Sequence, residues 1–168
     1  MVLVSSWQRT LLLLMGLAAV AHARPLDELR DPWIRGVFTG KSPRPVAVEE
    51  TEAWQRASSL AEATPGAFVL VGGGESMQPL YAPGTILVMQ LCAYENLERG
   101  QTALFRNKSS KVVAHVLVAK ARDGWRTTGL NNRSHDMEPV QADNLVGVII
   151  AAFAPLRDGG SLQLAASH

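Results

Sequence analysis

The stretch Gly72-Gly73-Gly74-Glu75-Ser76-Met77-Gln78-Pro79 is the part of this sequence most suited to chemistry. Three glycines free the backbone to turn, or let a second backbone approach closely. A serine just past such a turn can offer both its hydroxyl and its own N–H. The surroundings speak against two common uses of glycine-rich segments. A phosphate loop closes on Gly-Lys-Ser/Thr, whereas Glu75 puts negative charge where a phosphate would lie. A dinucleotide fingerprint opens a helix, and Pro79 with Pro83-Gly84 argues against one. A serine alone is a weak nucleophile, and to act as one it needs a base within hydrogen-bond reach.

Histidines are the natural bases, and there are four: His22, His115, His135 and His168. His115 lies in Lys111-Val112-Val113-Ala114-His115-Val116-Leu117-Val118, a run that reads as a strand. With period two, Lys111, Val113, His115 and Leu117 share one face, and Val112, Ala114 and Val116 the other. A histidine so flanked is expected to be partly buried and neutral near pH 7, able to accept a proton. Strand position alone favours a plain core histidine, so its pairing with Ser76 stays open at this point. His135 reads as a surface loop residue.

Positioning such groups falls to short elements. Ala67–Val71, Thr85–Leu91, Gln101–Arg106, Lys111–Lys120, Gly124–Gly129 and Leu145–Phe153 are apolar runs, most of them bounded by Gly, Pro or Asn. They predict a mainly β, compact antiparallel domain over residues 66–156. Residues 24–65 read as an arm or linker carrying a short helix over about 47–63. Glu49, Glu50 and Glu52 suit that helix's early turns, and Trp54, Ala57, Leu60 and Ala61 form its apolar stripe. Thr64-Pro65-Gly66 stops it. Residues 157–168 form a tail.

The first 23 residues read as an export signal. Arg9 precedes the apolar run Leu11–Ala21, which ends in Ala21-His22-Ala23, a small-residue cleavage pattern. Eleven helical residues rise roughly 16 Å, too little for a hydrocarbon core of about 30 Å. The expected location is therefore periplasmic or extracellular, with an uncleaved anchor through residues 1–23 as the alternative. The 168 residues carry 16 basic and 15 acidic side chains. Without residues 1–23 the charges balance, which argues against a nucleic-acid partner. The single cysteine, Cys92, excludes an internal disulfide framework and is expected to be a buried strand-end thiol.

The order of segments resembles a family. Gly74-Glu75-Ser76-Met77-Gln78-Pro79 is similar to the Ser-Met-x-Pro box of the type I signal peptidases. Pro83-Gly84-Thr85-Ile86-Leu87-Val88 resembles the strand that follows it, and Arg99-Gly100-Gln101-Thr102-Ala103-Leu104-Phe105 the next. Val112–Val116 falls where that family keeps its general base. Thr128-Gly129-Leu130-Asn131-Asn132 with Asp136 resembles its Gly-Asp-Asn-Asn…Asp block, and Leu145–Ile149 its closing strand. Histidine rather than lysine at the base position resembles the archaeal and endoplasmic-reticulum subclass.

The resemblance implies the peptidase fold and a Ser76 nucleophile, a His115 base and an orienting Asp136. It implies no metal or organic cofactor. The partner it implies is an extended polypeptide with small residues near the cleaved bond, added as a strand beside Phe68, Val69, Leu70, Val71, Gly72 and Gly73. Gly74 stands where many relatives carry a second hydroxyl, leaving backbone N–H groups to bind an oxyanion. Met77, with residues near Ile86 and Val88, is a candidate to line the pocket for the small residue. Contact with a membrane surface is a further expectation. Thr85 and Leu130 stand where the family has aspartates, so the same fold used as an inactive binding or scaffolding module is the alternative function.

Overall fold

The computed structural model describes residues 37–156. The segment expected to be an export signal, the arm up to residue 36 and the tail 157–168 lie outside them. Seven strands and one α-helix make a mainly antiparallel sheet, in keeping with the expected mainly β class. They are β1 (Val46–Glu49), α1 (Glu50–Ala63), β2 (Ala67–Val71), β3 (Ile86–Gln90), β4 (Thr102–Arg106), β5 (Val112–Ala121), β6 (Gly124–Thr128) and β7 (Leu145–Leu156). The strand order is β2-β3-β7-β4-β5-β6, and β1 joins β7 in parallel. Long β7 is thus central. It pairs with β3 through Val148–Phe153, with β4 through Leu145–Val148 and with β1 through Phe153–Leu156.

Two expectations about the helix need correction. It starts at Glu50 rather than 47, because Val46–Glu49 is drawn into the parallel pairing with β7. Its buried stripe is Ala53 and Ala57, with Leu60 and Ala61 partly buried, while Trp54 is 42% exposed. Small side chains let the helix lie close on the sheet. Trp54 stands about 100° round the helix from Ala53, off that face. The stop is as expected: the Thr64 N–H donates to the Ala61 carbonyl, and Gly66 takes φ of 72°.

Side chains on the two sheet faces divide the core. Ile86, Val88 and Phe153 pack beneath α1 with Ala53 and Ala57. Met77, Tyr81, Leu87, Met89, Leu104, Val116 and Ile149 form a second cluster, and Leu97, Ala103, Phe105, Leu117, Trp125, Val140 and Val148 a third. β5 alternates between the last two as its period requires: Ala114 and Val116 go one way, Val113 and Leu117 the other. Cys92 lies just past β3 and is half-buried rather than buried; what burial it has pushes its thiol pKa up.

The arm is more than a linker where it is described. Ser42 is buried, donates to the Gly100 carbonyl at 2.8 Å and lies 2.8 Å from the Thr102 hydroxyl. Lys41 pairs with Glu98, and the Tyr81 hydroxyl donates to the Pro43 carbonyl at 2.8 Å. Residues 39–43 are a strap across the β3–β4 connection. Among the described residues no helix is long and apolar enough to cross a membrane.

Candidate active site

Ser76 opens the turn that follows β2. The Gly72 N–H donates to the Thr85 carbonyl and the Gly84 N–H to the Gly72 carbonyl, so the β2–β3 ladder continues one step beyond the strands. The chain then leaves the sheet through Gly73 and Gly74. The Gln78 N–H donates to the Glu75 carbonyl and the Tyr81 N–H to the Met77 carbonyl, closing the turn around Ser76. Thr85, at a position where the resemblance calls for aspartate, is buried and donates its hydroxyl to the Ala82 carbonyl at 2.7 Å. A threonine therefore closes this bend with its own side chain. Leu130, at the other departure, packs against the cluster that holds Met77.

His115 is 6% exposed on β5, opposite Ala103 of β4, with the Phe105 ring edge-on 6.3 Å away. Its Nε2 lies 3.0 Å from Ser76 Oγ, and its Nδ1 lies 2.6 Å from Asp136 Oδ2. All three residues singled out in the sequence thus meet in one hydrogen-bonded row.

Asp136 sits in the loop after β6. Burial alone would raise its pKa. The bond to His115 and that residue's charge, then the bond from Thr127 and the charge of His135, pull it below the ordinary carboxylate value. An ionised Asp136 only accepts, so the proton of the neutral imidazole belongs on Nδ1. Nε2 is left with its lone pair toward the Ser76 hydroxyl, the arrangement a base needs.

The loop after β6 also clamps the serine turn directly. The Asn131 N–H donates to the Ser76 carbonyl at 2.8 Å, and the Asn131 side-chain amide to the Glu75 carbonyl at 3.3 Å. Gly129 makes this approach possible. A Cβ there would stand 2.7 Å from the Ser76 carbonyl oxygen and 2.9 Å from His115 Nε2. The Ser76 N–H donates to no partner among the described residues and is free to face an oxyanion at the serine.

Beside Ser76 runs a cleft of about 220 Å³. Leu70, Val71, Gly72, Gly73, Gly74 and Met77 line it, and Val112, Val113 and Ala114 of β5 join them. Phe68 and Val69, expected beside a substrate strand, do not line it. Phe68 points to solvent at 53% exposure, and Val69 packs beneath α1. Ile86 and Val88 face the helix as well; the β3 residue in the cleft is Leu87, one position out of phase, with Leu104 and Tyr81 beside it. Burial pushes the Tyr81 phenol up to about 12, against a smaller lowering from its bond with Thr102. Tyr81 is therefore a neutral wall.

Both strand edges at the cleft are open among the described residues. β2 pairs only with β3. β6 reaches β5 only from Val116 onward, leaving Val112–His115 unpaired on that side.

Sequence reasoning missed Thr127 and Tyr81, and gave Gly129, Asn131 and Leu87 no role of their own. Gly129 carried a usable signal, a glycine at a strand's end where another backbone could approach. The others depend on tertiary contacts that spacing does not encode. Among the described residues no group of three His, Cys, Asp or Glu side chains could hold a metal ion.

Compared with known proteins, the chain matches no family model, and no curated protein matches it significantly.

Proposed function

We propose that this chain is a serine endopeptidase of the signal-peptidase kind, acting outside the cytoplasm on extended polypeptides with small residues before the cleaved bond. One observation carries the reading: Ser76 Oγ, His115 and Asp136 stand in hydrogen-bonded series, at 3.0 and 2.6 Å, at the mouth of an apolar cleft with open strand edges. The peptidase fold named by the resemblance belongs to the same proposal.

His115 Nε2 takes the Ser76 proton as Oγ attacks the peptide carbonyl. Asp136 holds the ring and stabilises the imidazolium that forms. The Ser76 N–H offers the first hydrogen bond to the oxyanion. His115 then gives its proton to the leaving amine. Water, deprotonated by the same nitrogen, releases the acyl group and restores the serine. The substrate backbone pairs with β2 and with the open part of β5, which supplies binding without demanding particular side chains.

The closed bend at Thr85 and the packed Leu130 favour this over an inactive scaffold, since neither departure loosens the site. The test is hydrolysis of peptides containing Ala-x-Ala by the full chain, beside Ser76→Ala and His115→Ala. Cleavage abolished in both variants supports the reading. A wild type as inert as its variants across a broad peptide panel ends it.

A further inference from the structure

We infer that a second pocket, beyond the serine turn from the cleft, receives an acidic side chain on the leaving half of the substrate, and that Arg44 reads it. The inference rests on the peptidase reading and adds a specificity-determining residue to it. The pocket measures about 420 Å³ and is lined by Thr39, Arg44, Pro45, Pro79, Leu80 and Leu130, none of which lines the cleft. Its place follows from the chain. Pro79 and Leu80 belong to the turn that Ser76 opens, and Leu130 precedes Asn131, whose N–H donates to the Ser76 carbonyl at 2.8 Å. The cleft takes the segment before the cleaved bond, and its β5 wall stops at Ala114, next to His115. From Val116 onward β6 occupies that edge, and Gly129 and Leu130 continue from the end of β6. A substrate crossing the Ser76–His115 row therefore leaves over the loop that carries Leu130. At about 3.3 Å per extended residue, the pocket comes within reach of the second to fourth residue past the bond.

The chemistry of the pocket is one cation among apolar walls. No acidic side chain lines it, and Arg44 has no ion pair among the described residues. The backbone that carries Arg44 is pinned on both sides. The Pro43 carbonyl accepts from the Tyr81 hydroxyl at 2.8 Å, and Val46 pairs with Phe153 of β7. Arg44 itself stands between Pro43 and Pro45, which restrict the chain further. Little backbone freedom is left to lose on binding, so the guanidinium is presented at low cost. Its planar fork matches a carboxylate, and Thr39 brings a hydroxyl as a further donor. The proline and leucine walls keep water from one side of the pair, which strengthens it over an ion pair in open solvent. The same walls offer a neutral polar side chain nothing in exchange for its hydration, and a lysine there would face the like charge of Arg44.

The experiment uses the full chain and Ala-x-Ala peptides that differ only in carrying Glu, Gln or Lys at the second, third or fourth residue past the bond. All end in an amide, so that no terminal carboxylate answers in place of the side chain. At one of the three positions wild type should prefer Glu to Gln by about 5- to 10-fold in kcat/KM, with Lys slower still. Arg44→Ala should cut the Gln peptides as wild type does and lose the preference for Glu. Arg44→Glu should turn the preference toward Lys, a reversal that mere loss of structure would not produce. Equal cleavage of Glu and Gln peptides at all three positions, a preference for Glu that survives Arg44→Ala, or an equal slowing of every peptide by Arg44→Ala overturns the inference and leaves the peptidase reading standing. If wild type cuts none of the peptides, both fall.

Discussion

Thr127 and Asp136 hold each other twice: the Asp136 N–H donates to the Thr127 carbonyl at 3.0 Å, and the Thr127 hydroxyl donates to Asp136 Oδ2 at 2.6 Å. That oxygen is the one facing His115 Nδ1. Thr127 is thus a positioning residue that reaches the serine through two others. Thr127→Val keeps the shape and removes the donor. Peptide hydrolysis should fall by about 10- to 100-fold in kcat with KM little changed, the worth of one hydrogen bond to a charged group. Thr127→Ser should recover most of the rate. Full activity in Thr127→Val with a loss in Thr127→Ser would mean the methyl group, not the hydroxyl, is what matters.

Asp136→Asn should cost roughly 10³- to 10⁴-fold in kcat, because an amide no longer fixes the proton on Nδ1. Its effect on stability has a definite sign. The native carboxyl titrates below its ordinary value. Its stabilising contribution is therefore complete above the unfolded pKa of about 3.9 and is lost as pH falls through the native one. Urea midpoints measured downward from pH 5 should drop more steeply for wild type than for Asp136→Asn. Parallel curves would show that the carboxylate adds nothing to acid stability.

The glycines near the site should separate into two kinds. A Cβ at Gly129 would meet the Ser76 carbonyl at 2.7 Å, the Asn132 amide at 2.8 Å and the His115 ring at 2.9 Å. Gly129→Ala must push the serine turn from the histidine, and a misplacement of about 1 Å can cost roughly 100-fold. At Gly73 and Gly74 a Cβ would meet nothing within 4 Å. The fold does not need glycine there, so Gly73→Val should leave Tm unchanged and raise KM if the substrate backbone lies against it. Unchanged kinetics in Gly73→Val would place the substrate elsewhere.

Ser42→Ala tests the strap. It removes the donor to the Gly100 carbonyl and the partner of the Thr102 hydroxyl, both in a buried setting. The cost should be about 1–3 kcal/mol. Thermal unfolding should show it as a Tm lower by several degrees; no shift would mean residues 39–43 are held by their other contacts.

Much of this molecule was legible in the sequence because its signals are local. Strand runs bounded by glycine and proline marked six of the seven strands; Ser76 and His115 stood out by residue type and setting, while their pairing and the role of Asp136 came only with the family resemblance. The rest depends on partners distant in the chain. β1 has four residues and pairs with a strand about a hundred positions later, so nothing in Val46–Glu49 itself announces it. Which face of β3 sees the cleft is decided by where α1 lies; hence Leu87 lines it, while Ile86 and Val88 are covered by Ala53 and Ala57. Thr127 looks like any strand threonine until the loop after β6 folds back and brings Asp136 to it.

The central place of β7 has a consequence for timing. Ser76 belongs to the side of the sheet built on β2 and β3, while His115 and Asp136 belong to the side built on β4, β5 and β6; in the strand order only β7 lies between them. β7 is also the last strand of the described chain. During synthesis, then, the serine and its base are made early but have no sheet to join them until residues 145–156 arrive. A peptidase of the kind proposed would in this way be born harmless, its cutting edge assembled by the last of the described strands.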